Sequence, residues 1–223
     1  LQSGTVSAIL GGSGAVTKNA SGTVTLSGAN TYTGSTTLNQ GTMTLSGSIS
    51  SSSALVLGGG TWSYTATAGS TQTFASTTLN SGMSTVTNGT ATNVVNLGAI
   101  TRNAGSILNV SSLTGTTNTS SAVDSTGILG TWATTGTGTS LKYAAGGSGS
   151  AITAYTGTAA ATAANVTDTT GAVNYDVAAV GTLGASASFN TLRYTGAAGT
   201  IAGNFTANGL MNAGTGAVTY SGN

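Results

Sequence analysis

The fold of this chain is decided between residues 22 and 64, where three similar segments follow one another. They read GTVTLSGANTYTGSTTLNQ from Gly22, GTMTLSGSISSSSALVLGG from Gly41 and GTWSYTA from Gly60. The three starting glycines are spaced 19 residues apart. A fixed period of this size indicates a repeat architecture, in which each unit packs only against its neighbours.

Within each segment, apolar and polar residues alternate. The apolar positions are Val24 and Leu26, Met43 and Leu45, and Trp62 and Tyr64. The polar positions are Thr23 and Thr25, Thr42 and Thr44, and Thr61 and Ser63. This alternation is typical of a strand with one buried face. Stacking the segments by their period predicts two inward columns of apolar side chains: Val24, Met43 and Trp62 in one, and Leu26, Leu45 and Tyr64 in the other.

Residues 14–48 resemble the autotransporter-associated β-strand repeat of very large bacterial secreted and surface proteins. The resemblance lies in TVTLSGANTYTG (Thr23–Gly34) and TTLNQGTMTL (Thr36–Leu45). It departs from the repeat at Ser35, where a second glycine is common, and at Met43, where leucine is common. The resemblance implies an extracellular right-handed parallel β-helix. It implies no catalytic residue, because the repeat is a structural unit.

Charged residues are unusually rare in this chain. Only 3% of the 223 residues are charged, against about 25% in ordinary soluble domains. A net charge of +1 gives no field to attract nucleic acid. No apolar run approaches ~18 residues, so we expect no membrane insertion. Because the chain opens at Leu1 with no signal peptide, we expect an interior piece of a longer protein.

The period divides the chain into three parts of one continuous solenoid domain. Residues 1–113 are predicted to form β-helix rungs with the 19-residue repeat. Residues 114–165 lose the period and are predicted to be an irregular excursion or insertion. Regular rungs return over residues 166–223. The predicted fold is therefore all-β, a single-stranded right-handed parallel β-helix (β-solenoid) with one excursion.

The residues of enzymatic chemistry are scarce. The chain has no His, Cys or Glu, which excludes Ser–His–Asp and Cys–His arrangements. Asp168 and Asp176 are eight residues apart, too close for matching positions on successive rungs, and Asp124 lies in the irregular stretch. We expect the three carboxylates to lie apart in solvated turns and loops. The sequence predicts no enzyme, no cofactor and no metal site.

Two binding surfaces are compatible with the sequence. The aromatic residues Trp132, Tyr143 and Tyr155 could stack on a sugar, or could instead form a small core under a long loop. The Thr-x-Thr pairs on successive rungs resemble the flat threonine array of ice-binding solenoids. That array is interrupted at Thr61/Ser63 and is not predicted to recur later in the sequence. Threonine also simply suits the solvent face of a strand.

These observations favour a structural protein at a bacterial cell surface or outside the cell. The predicted role is a β-helical stalk or fibre that stacks head-to-tail into filaments, with a second copy or the next segment of a longer chain as its partner. The alternative is an adhesin module that binds surface glycans through the excursion. A further alternative is an ice-binding threonine face.

Overall fold

The computed structural model describes residues 1–222, which are almost entirely strands and connecting turns. The strands are, in chain order, β1 (Gly4–Val6), β2 (Val16–Lys18), β3 (Thr23–Leu26), β4 (Thr36–Leu38), β5 (Thr42–Leu45), β6 (Leu55–Leu57), β7 (Gly60–Tyr64), β8 (Thr71–Thr73), β9 (Ser76–Leu79), β10 (Gly82–Asn88), β11 (Val94–Asn96), β12 (Ala99–Arg102), β13 (Ser106–Ser112), β14 (Thr116–Thr119), β15 (Ala133–Thr135), β16 (Lys142–Ala145), β17 (Ser150–Ala151), β18 (Thr153–Ala154), β19 (Thr158–Ala160), β20 (Asn174–Val177), β21 (Gly181–Thr182), β22 (Ala187–Tyr194), β23 (Gly199–Ala202), β24 (Phe205–Asn212) and β25 (Val218–Ser221). Two short 3-10 helices span Gly138–Ser140 and Ala163–Asn165.

The first part of the chain coils into parallel sheets that run along a stack of rungs. One sheet pairs β1, β3, β5, β7, β10, β13 and β15 in that order, and all of these pairs are parallel. A second sheet pairs β2, β4, β6, β9 and β12, and a third pairs β8, β11 and β14. Successive strands of one rung therefore lie in different sheets, while equivalent strands of successive rungs pair. This confirms the predicted all-β parallel solenoid.

The 19-residue period is explained by a column of glycines at the start of each rung. A Cβ atom on Gly41 would lie 2.4 Å from the carbonyl oxygen of Gly22, and one on Gly60 would lie 2.3 Å from the carbonyl oxygen of Gly41. Both residues also have positive φ angles, +72° and +79°, a conformation that residues with a side chain rarely adopt. Glycine is needed here because the main chains of successive rungs approach closely at this corner.

The core columns follow the register that the alternation predicts. Val24 pairs with Met43 and Met43 with Trp62, while Leu26, Leu45 and Tyr64 form the neighbouring column. All six side chains are at most 1% exposed. Phe74 packs edge-on against Trp62, with ring centroids 5.4 Å apart. The two predicted core columns are confirmed, and the threonines that alternate with them in the same strands therefore point outward.

A lysine ends one of the leucine columns. Lys18 pairs in register with Leu38, which pairs with Leu57 and then Leu79. The Lys18 side chain is fully buried, and its Nζ atom donates to the carbonyl oxygens of Gln2 (3.2 Å) and Ala20. The aliphatic stem thus extends the apolar column while main-chain oxygens bind its charged end.

The parallel ladder of the first stack ends within residues 133–154. β15 pairs antiparallel with β16, and β16 pairs antiparallel with β18. A second stack then begins, with β19, β20, β22 and β24 in one sheet and β21, β23 and β25 in another. Each stack has its own apolar core. The change of direction lies inside the predicted excursion, and the proposed boundaries at 113 and 165 stay predictions.

The second stack lies against the outer face of the first. Ile128, Tyr143 and Met211 form a small buried cluster between the two stacks. A groove of about 340 Å³ runs beside this cluster, and its apolar lining includes Met83 and Ile107 from the first stack and Leu210 from the second. This packing leaves the outer faces of β3, β5 and β7 partly open to solvent.

Candidate functional site

Two of the three carboxylates close turns of the same kind. Oδ1 of Asp124 accepts hydrogen bonds from the main-chain N (2.8 Å) and Oγ1 (2.7 Å) of Thr126. Oδ1 of Asp168 accepts from the same two atoms of Thr170, at 2.8 and 2.6 Å. Each turn ends in a glycine of positive φ. The shared pattern Asp-x-Thr-Gly at 124–127 and 168–171 is a sequence signal for these turns, and it was not among the predicted features.

The turn at Asp168 also fixes that residue's charge. Slight burial raises the pKa of Asp168, but hydrogen bonds from the Oγ1 and N atoms of Thr170 and from the N atoms of Val173 and Ala172 outweigh it and lower the pKa to about 2. These donors bind the ionised form and so favour it. The carboxylate therefore stabilises its loop and has no free oxygen suited to proton transfer.

The third carboxylate lies in a strand rather than in a loop, which corrects the expectation for Asp176. Its Oδ2 atom is 3.5 Å from Nη1 of Arg193. Nε of Arg193 donates to the carbonyl oxygen of Leu141 (2.6 Å), and Nη2 donates to that of Thr139 (3.2 Å). Arg193 is 8% exposed. The arginine thus ties the second stack to the segment that precedes β16.

An amide cluster makes the second polar contact between the stacks. Nδ2 of Asn174 donates to the main-chain oxygen (3.1 Å) and to Oγ1 (3.0 Å) of Thr126. Nδ2 of Asn190 lies 2.8 Å from the same Oγ1 and 2.9 Å from Oδ1 of Asn174. The Asp124 turn is therefore held in place by the second stack. No pattern in the sequence alone links residues so far apart in the chain.

The three aromatic residues of the excursion are turned toward protein. Tyr143 is 4% exposed and packs with Ile128 and Met211, and Tyr155 lies partly buried against that cluster. Trp132 packs against the core of the first stack instead. Burial, together with the nearby Tyr220, raises the pKa of Tyr143, so its phenol stays neutral. This placement favours the packing role, and sugar binding by these residues stays a prediction.

The remaining charged groups do not assemble into a site within residues 1–222. Lys142 donates to Oγ1 of Thr156 (3.3 Å) and Arg102 to the carbonyl oxygen of Ser106 (3.3 Å). No two carboxylates contact one another in this part of the chain, and no cluster of three metal-binding side chains forms there. In the same residues, no helix is long and apolar enough to cross a membrane.

The outward threonines form a longer array than the sequence predicts. Thr42 pairs with Thr23 and Thr61, and Thr44 pairs with Thr25 and Ser63. The columns then continue, because Thr61 pairs with Thr85 and Ser63 with Thr87. We call this surface the threonine face; its residues are Thr23, Thr25, Thr42, Thr44, Thr61, Ser63, Thr85 and Thr87. The expectation that the array is interrupted at Thr61/Ser63 and does not recur is therefore wrong.

The sequence does not predict that the threonine columns continue into β10, because the rung that begins at Gly60 is longer than 19 residues. Gly60 pairs with Ser84, 24 residues later, since the chain adds the extra strand β8 before it returns. Strand β10 therefore begins at Gly82, two residues before Ser84, the residue that pairs with Gly60. Aligning the alternating residues of Ser84–Asn88 on Val86, rather than on Gly82, predicts the observed register between β7 and β10.

The comparisons with known proteins agree with this architecture. The stacked parallel rungs define the molecule as a β-solenoid. Residues 16–48, which span β2 to β5, match the passenger-associated-transport-repeat family. The resemblance to the autotransporter-associated repeat is thereby confirmed over this stretch. No match was found among curated proteins or among solved structures.

Proposed function

We propose that this chain is a non-enzymatic structural segment of a bacterial extracellular or surface protein, in which the solenoid serves as a stalk or fibre. The observation that carries the proposal is the parallel register from β1 to β13 in one sheet. A ladder of this kind grows by about 4.8 Å with each rung, and each rung needs only its neighbours. The passenger repeat over residues 16–48 supports the extracellular location.

We infer that the segment stacks end to end, with a second copy or with the next segment of a longer chain. Within residues 1–222, β1 and β2 each pair on one side only, and so do β24 and β25. The rungs at both ends also carry half-buried apolar residues, Val6 and Val16 at one end and Phe205 and Tyr220 at the other. An incoming rung would bind the free main-chain groups and cover these side chains. Contacts between two different surfaces do not close, so they propagate into a filament.

The test is the assembly state of the purified chain. Sedimentation and electron microscopy should show linear assemblies that lengthen with concentration. Thr219→Lys places a charge on the edge strand β25 and should prevent assembly, because charged edges resist pairing. Thr37→Lys is the control, since β4 is paired on both sides and should assemble as the parent does. A monomer at all concentrations, or a discrete dimer, would overturn the filament.

A further inference from the structure

The threonine face is a regular grid set by the main chain. Neighbouring strands of a parallel sheet lie about 4.8 Å apart, and alternate residues of a strand lie about 6.6 Å apart. The pairs from β3 through β5 and β7 to β10 follow without a register shift. Eight side chains therefore stand in four rows of two with the same spacing throughout.

The grid is rigid as well as regular. The residues between the outward positions, such as Val24, Met43 and Trp62, are at most 1% exposed and fix the strands to the core. Seven of the eight outward residues are threonine, whose branched Cβ restricts χ1. The hydroxyl and methyl groups are thus held in place before any ligand arrives, which lowers the entropy cost of binding.

The hydroxyl groups of the face are free to bind something outside the protein. Of the eight hydroxyl groups of the face, only that of Thr87 makes a hydrogen bond within residues 1–222, with Oγ of Ser111 at 2.7 Å. Inward threonines differ, since Oγ1 of Thr36 bonds Oη of Tyr32 (2.7 Å) and Oγ1 of Thr77 donates to the carbonyl oxygen of Leu97 (2.7 Å). Seven donor groups in fixed positions therefore face water, with a methyl group beside all but one of them.

The chemistry of the face excludes most ligand classes. It has no charge to attract an ion or a charged polymer, and no aromatic or arginine anchor of the kind that dominates protein interfaces. What it offers is an uncharged, repeating pattern of hydroxyl and methyl groups. We propose that the threonine face binds ice, by ordering a layer of water on its grid that merges with the crystal lattice. This activity is independent of the structural role proposed above.

The experiment uses the whole chain and two matched variants. Fluorescently labelled protein is frozen slowly onto a polished ice crystal, and recrystallisation of fine ice is followed in parallel. The parent should enter the ice and slow grain growth. Thr44→Lys, in the middle of the face, should be excluded from the ice and lose this effect, because a long charged chain breaks the grid. Thr37→Lys makes the same change on a different sheet and should behave as the parent does.

Two further observations make the outcome decisive. Circular dichroism of both variants should match that of the parent. If Thr44→Lys does not fold, Thr44→Val takes its place; this variant retains the side-chain shape but removes one hydroxyl, and it should be retained less in ice. Exclusion of the parent protein from ice would overturn the proposal. So would equal retention of Thr44→Lys and Thr37→Lys, or binding to crystalline cellulose with no retention in ice.

Discussion

Replacing Leu45 by alanine tests the inward register directly. Leu45 is fully buried between Leu26 and Tyr64, which are at most 1% exposed. The change removes three carbon atoms, about 2.4 kcal/mol at ~0.8 kcal/mol for each buried CH₂ group. A cavity adds to this cost, and Leu→Ala changes in cores span about 2–5 kcal/mol. Because both neighbours are held by the ladder and cannot collapse inward, we expect about 3–4 kcal/mol.

Urea unfolding followed by circular dichroism measures this loss, with Thr44→Ala as the matched control. Thr44 is the adjacent outward residue in the same strand, and its replacement should change the free energy of unfolding by less than about 0.5 kcal/mol. A slip of one residue would exchange the two faces of the strand. A larger loss for Thr44→Ala than for Leu45→Ala would therefore refute the facing of every residue in this sheet.

Three further predictions concern the second stack. The pKa of Asp168 is lowered to about 2, so its hydrogen bonds stabilise the fold at pH values above its ordinary pKa, and this stabilisation is lost as the pH falls through about 2. Asp168→Asn should therefore flatten the dependence of the melting temperature on pH between about 4 and 2. Arg193→Met leaves Asp176 without its partner and should destabilise the docked second stack by about 3–5 kcal/mol, seen as faster proteolysis, whereas the exposed Arg102→Met should have little effect. In Gly209→Val, the new Cβ atom would lie 2.8 Å from Oη of Tyr143, and we expect this clash to separate the two stacks. Separation should return the raised pKa of Tyr143 toward its ordinary value, which an absorbance titration measures.

The regular rungs could be predicted from the sequence because each depends on local signals. Alternation around Val24 and Met43 sets which face is buried, and the glycines at 22, 41 and 60 set the rung length. These signals repeat, so an error in one rung would conflict with the next. The fold class and the core columns follow from them directly.

The contacts between the stacks could not be predicted, because they join residues with no shared pattern. Arg193 contacts Leu141, and Asn174 contacts Thr126, through a change of chain direction that no period specifies. The threonine face was underestimated for a related reason. A longer rung moved Thr85 and Thr87 out of the 19-residue period, although they kept their place in the sheet.

The interruption between β18 and β19 also divides the cooperativity of the molecule. Within residues 1–222, the strand pairs join each stack internally and none joins one stack to the other. The hydrogen bonds across the junction come from side chains, those of Asn174, Asn190 and Arg193. Main-chain amides in the two stacks should therefore exchange with solvent as separate cooperative units, each opening with its own free energy. The second stack, with the smaller core, should open first and leave the longer ladder of the first stack intact.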